Sequence, residues 1–88
     1  MWRRMDAEIL FTDANDVNLG IATLIECGFD VEILLDWIDP YSSATWINAR
    51  TISELDELAF FRWVAAIVEP LHGDVVEAGL AGPPPCAA

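Results

Sequence analysis

The sequence predicts an α+β fold in which two helices cover one face of a four-stranded antiparallel sheet. The prediction depends first on the order of the periodic segments. Stretches of alternating hydrophobicity, typical of strands, and stretches with helical spacing follow one another as β-α-β-β-α-β. It depends also on size and composition. The chain has 88 residues, enough for one domain, and 55% of them are hydrophobic, which supplies a core.

The first strand is predicted at residues 7–12 and the first helix directly after it. Aspartate and asparagine at 13–16 are typical of helix starts. The helix ends at Gly28, which can adopt the left-handed conformation, and Phe29 can fold back on the last turn. The inward positions of the strand are Ala7, Ile9 and Phe11, and the apolar stripe of the helix is Val17, Ile21, Leu24 and Ile25.

A hairpin is predicted next, with strands at residues 30–38 and 44–52 joined by a turn at 39–43. With this turn, Glu32 faces Arg50, so that an acid meets a base. The other predicted pairs are Leu34 with Asn48, Asp36 with Trp46, and Ile38 with Ala44. Inward residues then meet inward residues. This agreement supports the register, because a slip of one residue would invert a face.

The second helix is predicted to begin in a capping-box variant at residues 53–56 and to run to about Glu69. Its main apolar stripe is Phe60, Trp63, Val64, Ile67 and Val68, with Leu71 just beyond. Three further apolar residues predict either a wide core contact or a second contact surface: Leu55, Leu58 and Phe61. The last strand is predicted at residues 74–80, with Val76 and Ala78 toward the core.

Right-handed crossovers in both β-α-β units give the strand order 4-1-3-2 without a knot. The arrangement resembles the ferredoxin-like βαββαβ sandwich. Residues 7–80 are expected to form this single domain. Residues 1–6 are expected to form a flexible N-terminal arm, and residues 81–88, which include a run of prolines, a disordered tail.

The charge of the chain is strongly acidic. There are 15 Asp and Glu residues against 4 basic residues, all of them arginine, so the formal net charge is −11. Phosphate binding requires clustered Lys and Arg, so we expect neither nucleic acid nor an anionic membrane as a partner. The N-terminus lacks the pattern of a signal peptide, and no apolar run is long enough to span a bilayer. These features predict a cytoplasmic protein.

No residue pattern indicates catalysis or a cofactor. His72, the only histidine, has no nucleophile near it in the sequence, which leaves its role open. A calcium loop starting at Asp13 lacks the glycine of its sixth position and the glutamate of its twelfth. Two cysteines are not a disulfide framework, and the sequence leaves open whether Cys27 and Cys86 pair. We therefore expect no enzyme, no cofactor and no metal site.

The loop after the first strand distinguishes ferredoxin-like domains by function. Heavy-metal-binding members carry Cys-x-x-Cys there and acylphosphatase-like members an arginine, and residues 12–16 of this chain have neither. RNA-recognition members stack bases on aromatic residues in a basic setting, unlike the acidic setting of Trp46. The chain is most similar to ACT-type regulatory domains, although Asn15 or Asp16 replaces their usual glycine. This resemblance implies a small-molecule sensor.

The sheet face opposite the helices carries the predicted interaction surface. Leu10, Trp46 and Leu34 come from neighbouring strands and form an apolar patch rimmed by acids. The full predicted surface is Leu10, Leu34, Asp36, Trp46, Arg50 and Val75. A contiguous apolar patch marks a binding site, whereas scattered surface hydrophobics would need no explanation.

The expected function is self-association through this face, with a homodimer as the product and no enzymatic activity. Two alternatives stay open. An acidic surface can bind another protein, which would make the chain a small regulatory module. The resemblance to ACT-type domains implies a sensor of small molecules instead.

Overall fold

The computed structural model describes residues 2–34 and 44–81 and confirms the α+β sandwich with its ferredoxin-like order of elements. The elements are β1 (Arg3–Phe11), α1 (Ala14–Glu26), β2 (Asp30–Leu34), β3 (Thr45–Ser53), α2 (Glu57–Val68) and β4 (Gly73–Leu80). The strands form one antiparallel sheet in the order β2-β3-β1-β4, which is the predicted order read from the other edge. A single 3-10 turn, Glu69–Leu71, joins α2 to β4.

The strand β1 begins at Arg3, four residues before the predicted start at Ala7. Residues 3–6, which the sequence assigned to a flexible arm, therefore lie within the sheet. Met5 is fully buried, and β3 is long enough to pair with β1 as far as Arg3. At the other end of the chain, Ala81 still donates its N–H to the carbonyl oxygen of Arg4, and residues 82–88 lie outside the described residues.

A bulge in β4 reverses the predicted burial of two residues, Val75 and Val76. The register between β1 and β4 shifts between Glu8 and Ile9, so that Ile9 pairs with Val75 and Glu8 with Glu77. Val75 is therefore buried, at 9% exposure, whereas Val76 is 49% exposed. The prediction that Val75 lines the interaction surface is wrong, because one extra residue in the strand inverts the alternation after it.

The β2–β3 hairpin is paired two residues away from the predicted register. The observed pairs are Asp30 with Arg50, Val31 with Ala49, Glu32 with Asn48, Ile33 with Ile47, and Leu34 with Trp46. A shift of two residues keeps every side chain on its predicted face. The register of a hairpin follows from the length of its turn, and the predicted turn at 39–43 lies outside the described residues. Asp36, a predicted surface residue, also lies outside them.

The ends of α1 follow the local sequence. The Asp13 side chain caps the first turn. Gly28 has a φ of 94°, the left-handed value expected of it, and the Phe29 N–H donates to the Leu24 carbonyl oxygen at 3.0 Å. The chain thus turns back at Phe29, whose ring packs against Trp63 of α2 with centroids 4.9 Å apart. The predicted end of this helix is confirmed.

The start of α2 differs from the predicted capping box. Ser53 is the last residue of β3 and is buried, and its Oγ accepts a hydrogen bond from the Leu55 N–H at 3.0 Å. Asp56 caps the helix instead, because its carboxylate accepts from the Ala59 N–H at 2.7 Å. Ser53 therefore ends the strand, and the helix begins at Glu57.

The core lies between the sheet and the two helices. Its buried members are Met5, Ala7, Ile9, Phe11, Val17, Leu24, Phe29, Ile47, Ala49, Phe60, Val64, Ala65, Val68 and Val75. The predicted stripe of α2 is confirmed, since its members are buried or packed against this cluster. Ile25, a member of the predicted apolar stripe of α1, is exposed instead, and Ile33 of β2 is exposed as well. Ile33 belongs to the edge strand β2, where the helix layer covers less of the sheet.

The ring of Phe11 sits against two glycines. A Cβ built at Gly20 of α1 would lie 2.4 Å from Cζ of Phe11, and one at Gly73 of β4 would lie 2.8 Å from the same ring. Carbon atoms do not approach so closely, so both positions require the absence of a side chain. Phe11 is fully buried, so its ring cannot move without displacing other core side chains.

We expect Gly20→Ala to lower the free energy of unfolding by about 1–3 kcal/mol, because the added methyl group collides with the Phe11 ring. In an open helix the same change would raise stability by roughly 1 kcal/mol. Urea unfolding followed by circular dichroism measures the difference.

Gly79→Ala is the matched control, since its Cβ would meet only the Glu57 carboxyl group, at 3.7 Å. Its effect should stay within about 0.5 kcal/mol. The double variant Gly20→Ala/Phe11→Leu should lose less free energy of unfolding than the sum of the losses in the two single variants. A Gly20→Ala protein as stable as the parent would show that contact with the Phe11 ring does not determine the distance between α1 and the sheet.

Candidate interaction surface

Three apolar side chains line up across the middle of the sheet. Leu10 of β1 pairs directly with Trp46 of β3, and Trp46 pairs directly with Leu34 of β2. Leu10 and Trp46 point away from the helices, because their chain neighbours Ile9 and Ile47 are fully buried on the helix side. Leu34 shares this face, because it pairs directly with Trp46. All three are partly buried. Strands lie about 4.8 Å apart, so this apolar row is about 10 Å wide.

Carboxylates occupy the rows beside the apolar row on the same face. The next row consists of Glu32, Asn48, Glu8 and Glu77, and the one after it of Asp30, Arg50 and Asp6. We call these the acidic rows. At the β4 end of the apolar row, Asp74 pairs with Leu10. The face is thus apolar near one end of the strands and negatively charged across their middle.

Arg50 is the one cation within the acidic rows. Its guanidinium group forms hydrogen bonds with other side chains of these rows. Its Nη2 lies 2.7 Å from a carboxylate oxygen of Glu32, and its Nε donates to Oδ1 of Asn48 at 3.0 Å. Asn48 in turn donates to Oδ2 of Asp6 at 3.4 Å. The acid–base meeting expected from the sequence therefore occurs, although Glu32 and Arg50 are diagonal neighbours and not a direct pair.

The structure brings together four of the six predicted surface residues: Leu10, Leu34, Trp46 and Arg50. Val75 is in the core, and Asp36 lies outside the described residues. Val76, which the bulge leaves without a pairing partner in β1, is exposed instead. The sequence offers no signal for this exchange, since the two valines are chemically identical and only the bulge distinguishes them.

His72 and Cys27 are both exposed, and neither belongs to the apolar row. Nδ1 of His72 is 3.3 Å from Oδ2 of Asp16, and the His72 backbone has a left-handed φ of 65° after the 3-10 turn. Cys27 is a free thiol at the end of α1. Within residues 2–34 and 44–81, no group of three or more His, Cys, Asp or Glu residues is placed to hold a metal ion.

Comparison with known protein families, with curated proteins and with solved structures finds no match. Neither α1 nor α2, the two α-helices in the described part of the chain, is long and apolar enough to cross a membrane. The feature of the described residues that bears on function is the surface itself, an apolar row with acidic rows beside it.

The ion pair between Glu32 and Arg50 is expected to contribute less than about 1 kcal/mol to stability, because both side chains are more than half exposed, at 60% and 51%. A double-mutant cycle with Glu32→Gln and Arg50→Gln, measured by urea unfolding, gives the coupling energy. A coupling above about 2 kcal/mol would mean that this polar network, and not the core alone, determines the hairpin register.

Proposed function

We propose that the chain is a non-enzymatic cytoplasmic domain that self-associates through the open face of its sheet. The observation that carries this proposal is the direct pairing of Leu10, Trp46 and Leu34 on the side opposite the two helices. Large aromatic side chains with apolar neighbours are the usual energetic centres of protein interfaces. In the dimer, the apolar row of one copy would pack against the apolar row of the other.

A two-fold axis along the apolar row brings the two rows together and keeps the acidic rows apart. Rotation about such an axis reverses the strand direction of the second copy. The acidic rows of the two copies then extend away from the axis in opposite directions. An axis along the strands would stack carboxylate on carboxylate, which like-charge repulsion disfavours. The antiparallel arrangement is therefore the one that the charges support.

The association should be weak. A standard interface buries about 800 Å² per partner, and a row of three partly buried side chains covers less. Each copy also carries a formal charge of −11, so the copies repel one another at long range. We therefore expect dissociation constants in the micromolar range or above, and association that strengthens when salt screens the repulsion.

A basic partner protein is the second candidate, and the acidic rows favour it. Glu8, Glu32 and Glu77 lie beside the apolar row, so a partner with an apolar centre and basic rim would fit both features. Such a complex would weaken with added salt, which is the opposite of the behaviour expected for self-association.

We expect Trp46→Thr to weaken self-association at least tenfold, because the change removes the central side chain of the apolar row and keeps a β-branched residue in the strand. Sedimentation equilibrium from micromolar to millimolar concentration measures the dissociation constant. The control is Leu58→Ser on α2, which removes a 59% exposed apolar side chain outside the sheet face. A parent protein that is monomeric at millimolar concentration, or a loss caused by Leu58→Ser, would overturn the proposal.

Raising sodium chloride from 50 to 500 mM should strengthen the association severalfold, since the Debye length falls from about 14 Å to about 4 Å and the charged copies repel less. The same sedimentation experiment measures this change. Association that weakens across this range would show that ion pairs hold the copies together. That result would contradict an interface centred on the apolar row.

A further inference from the structure

A second apolar surface lies at the opposite end of the sheet, where β1 begins and β3 ends. It is a groove with a volume of about 350 Å³, lined by Trp2, Ile52, Ser53, Glu54, Leu55 and Trp63. Two of its apolar walls face solvent, since Trp2 is 67% and Ile52 57% exposed. We call this the tryptophan groove. It shares no residue with the apolar row.

Three residues of the tryptophan groove, Ser53, Leu55 and Trp63, are held in place by hydrogen bonds and ring packing. Nη2 of Arg3 donates to the Leu55 carbonyl oxygen at 2.9 Å, and the Leu55 N–H donates to Oγ of Ser53 at 3.0 Å. Trp63 packs against Phe29 in the core. This side of the groove is therefore formed before any ligand arrives, which lowers the entropic cost of binding.

The chain leaves β4 beside this groove. The Ala81 N–H donates to the Arg4 carbonyl oxygen at 3.0 Å, and Arg4 pairs with Ile52 on the groove wall. At about 4.8 Å between strands, Ala81 is about 10 Å from Ile52. Gly82 and the prolines 83–85 follow directly in the sequence. A polyproline II segment advances about 3.1 Å per residue, so this run is long enough to reach the groove.

The chemistry of the groove suits proline. Aromatic-lined grooves bind polyproline II segments, because flat indole rings pack against pyrrolidine rings. The polyproline II backbone has no internal hydrogen bonds, so an indole N–H can donate to its free carbonyl oxygens. Residues 82–88 carry no charged side chain, so the acidic surface does not repel them. Attachment to the same chain raises their effective concentration at the groove to the millimolar range.

We propose that the tryptophan groove binds the proline run 83–85 of the same chain. The chain's own segment is favoured over a second copy because it emerges about 10 Å away and needs no approach of two acidic molecules. This proposal does not depend on self-association through the sheet face.

The test is paramagnetic relaxation measured by NMR. A nitroxide is attached to Cys86 in the Cys27→Ser protein, because Cys27 is exposed and would also react. We expect the signals of the Trp2 indole and the Ile52 methyl groups to lose at least half of their intensity, whereas those of Leu19 on α1 keep theirs. Equal or absent broadening at the groove and at Leu19 would overturn the proposal.

Two sets of variants separate a specific contact from mere proximity. Replacing all three prolines with serine, or changing Leu55→Ser, should reduce the broadening at Trp2 severalfold, because a tail that is tethered but unbound spends less time at the groove, and Leu58→Ser should leave the broadening unchanged. If Leu55→Ser does not fold, Ile52→Thr at the exposed wall serves the same purpose. Broadening at Trp2 that is undiminished by the proline replacement would overturn the proposal.

A mixed sample distinguishes binding within one chain from binding between chains. Isotope-labelled protein without nitroxide is combined with unlabelled protein that carries it. We expect no broadening at Trp2 in this mixture. Broadening there would mean that the groove receives the proline run of a second copy, which would overturn the proposal of binding within one chain.

Discussion

The contact between the Phe11 ring and two glycines is the constraint on which the rest of the structure depends. The absence of a side chain at Gly20 allows α1 to pack closely against the Phe11 ring, and the absence of one at Gly73 allows the first residue of β4 to lie next to the same ring. Protein interiors are packed as densely as crystals, so even one methyl group at either glycine would displace an element. Because β1 is a central strand, paired with β3 on one side and β4 on the other, its position determines where both neighbours lie.

The open face follows from the same strand. Because Ile9 and Phe11 are buried under the helices, Leu10 between them lies on the open face of the sheet, where it pairs with Trp46. The sheet therefore places an apolar row near one end of its strands and the tryptophan groove at the other. The acidic rows lie between them. Their charge keeps a chain with 55% hydrophobic residues dispersed in water and limits how two sheets can stack. The acidity that first suggested a binding partner is thus also a constraint on self-association.

The interaction surface was predictable from sequence where it depends on strand alternation alone. Leu10, Leu34 and Trp46 share a face in any even register, so a hairpin shifted by two residues still brings them together. Val75 and Val76 behave differently. Which of them is buried depends on the position of a bulge, and that position depends on how β4 packs against β1 and α2. Because the two side chains are identical, the sequence does not indicate where the bulge lies.

The sequence by itself determined the order of the elements, the faces of β1 and β3, the apolar stripe of α2 and the ends of α1. These features are local, because strand period, helix period and the caps at Asp13 and Gly28 involve residues a few positions apart. Only the tertiary structure decided the hairpin register, the bulge, the start of β1 at Arg3 and the tryptophan groove. Each of these depends on the length and fit of a strand or loop that is distant in the sequence, and local periodicity carries no information about that fit.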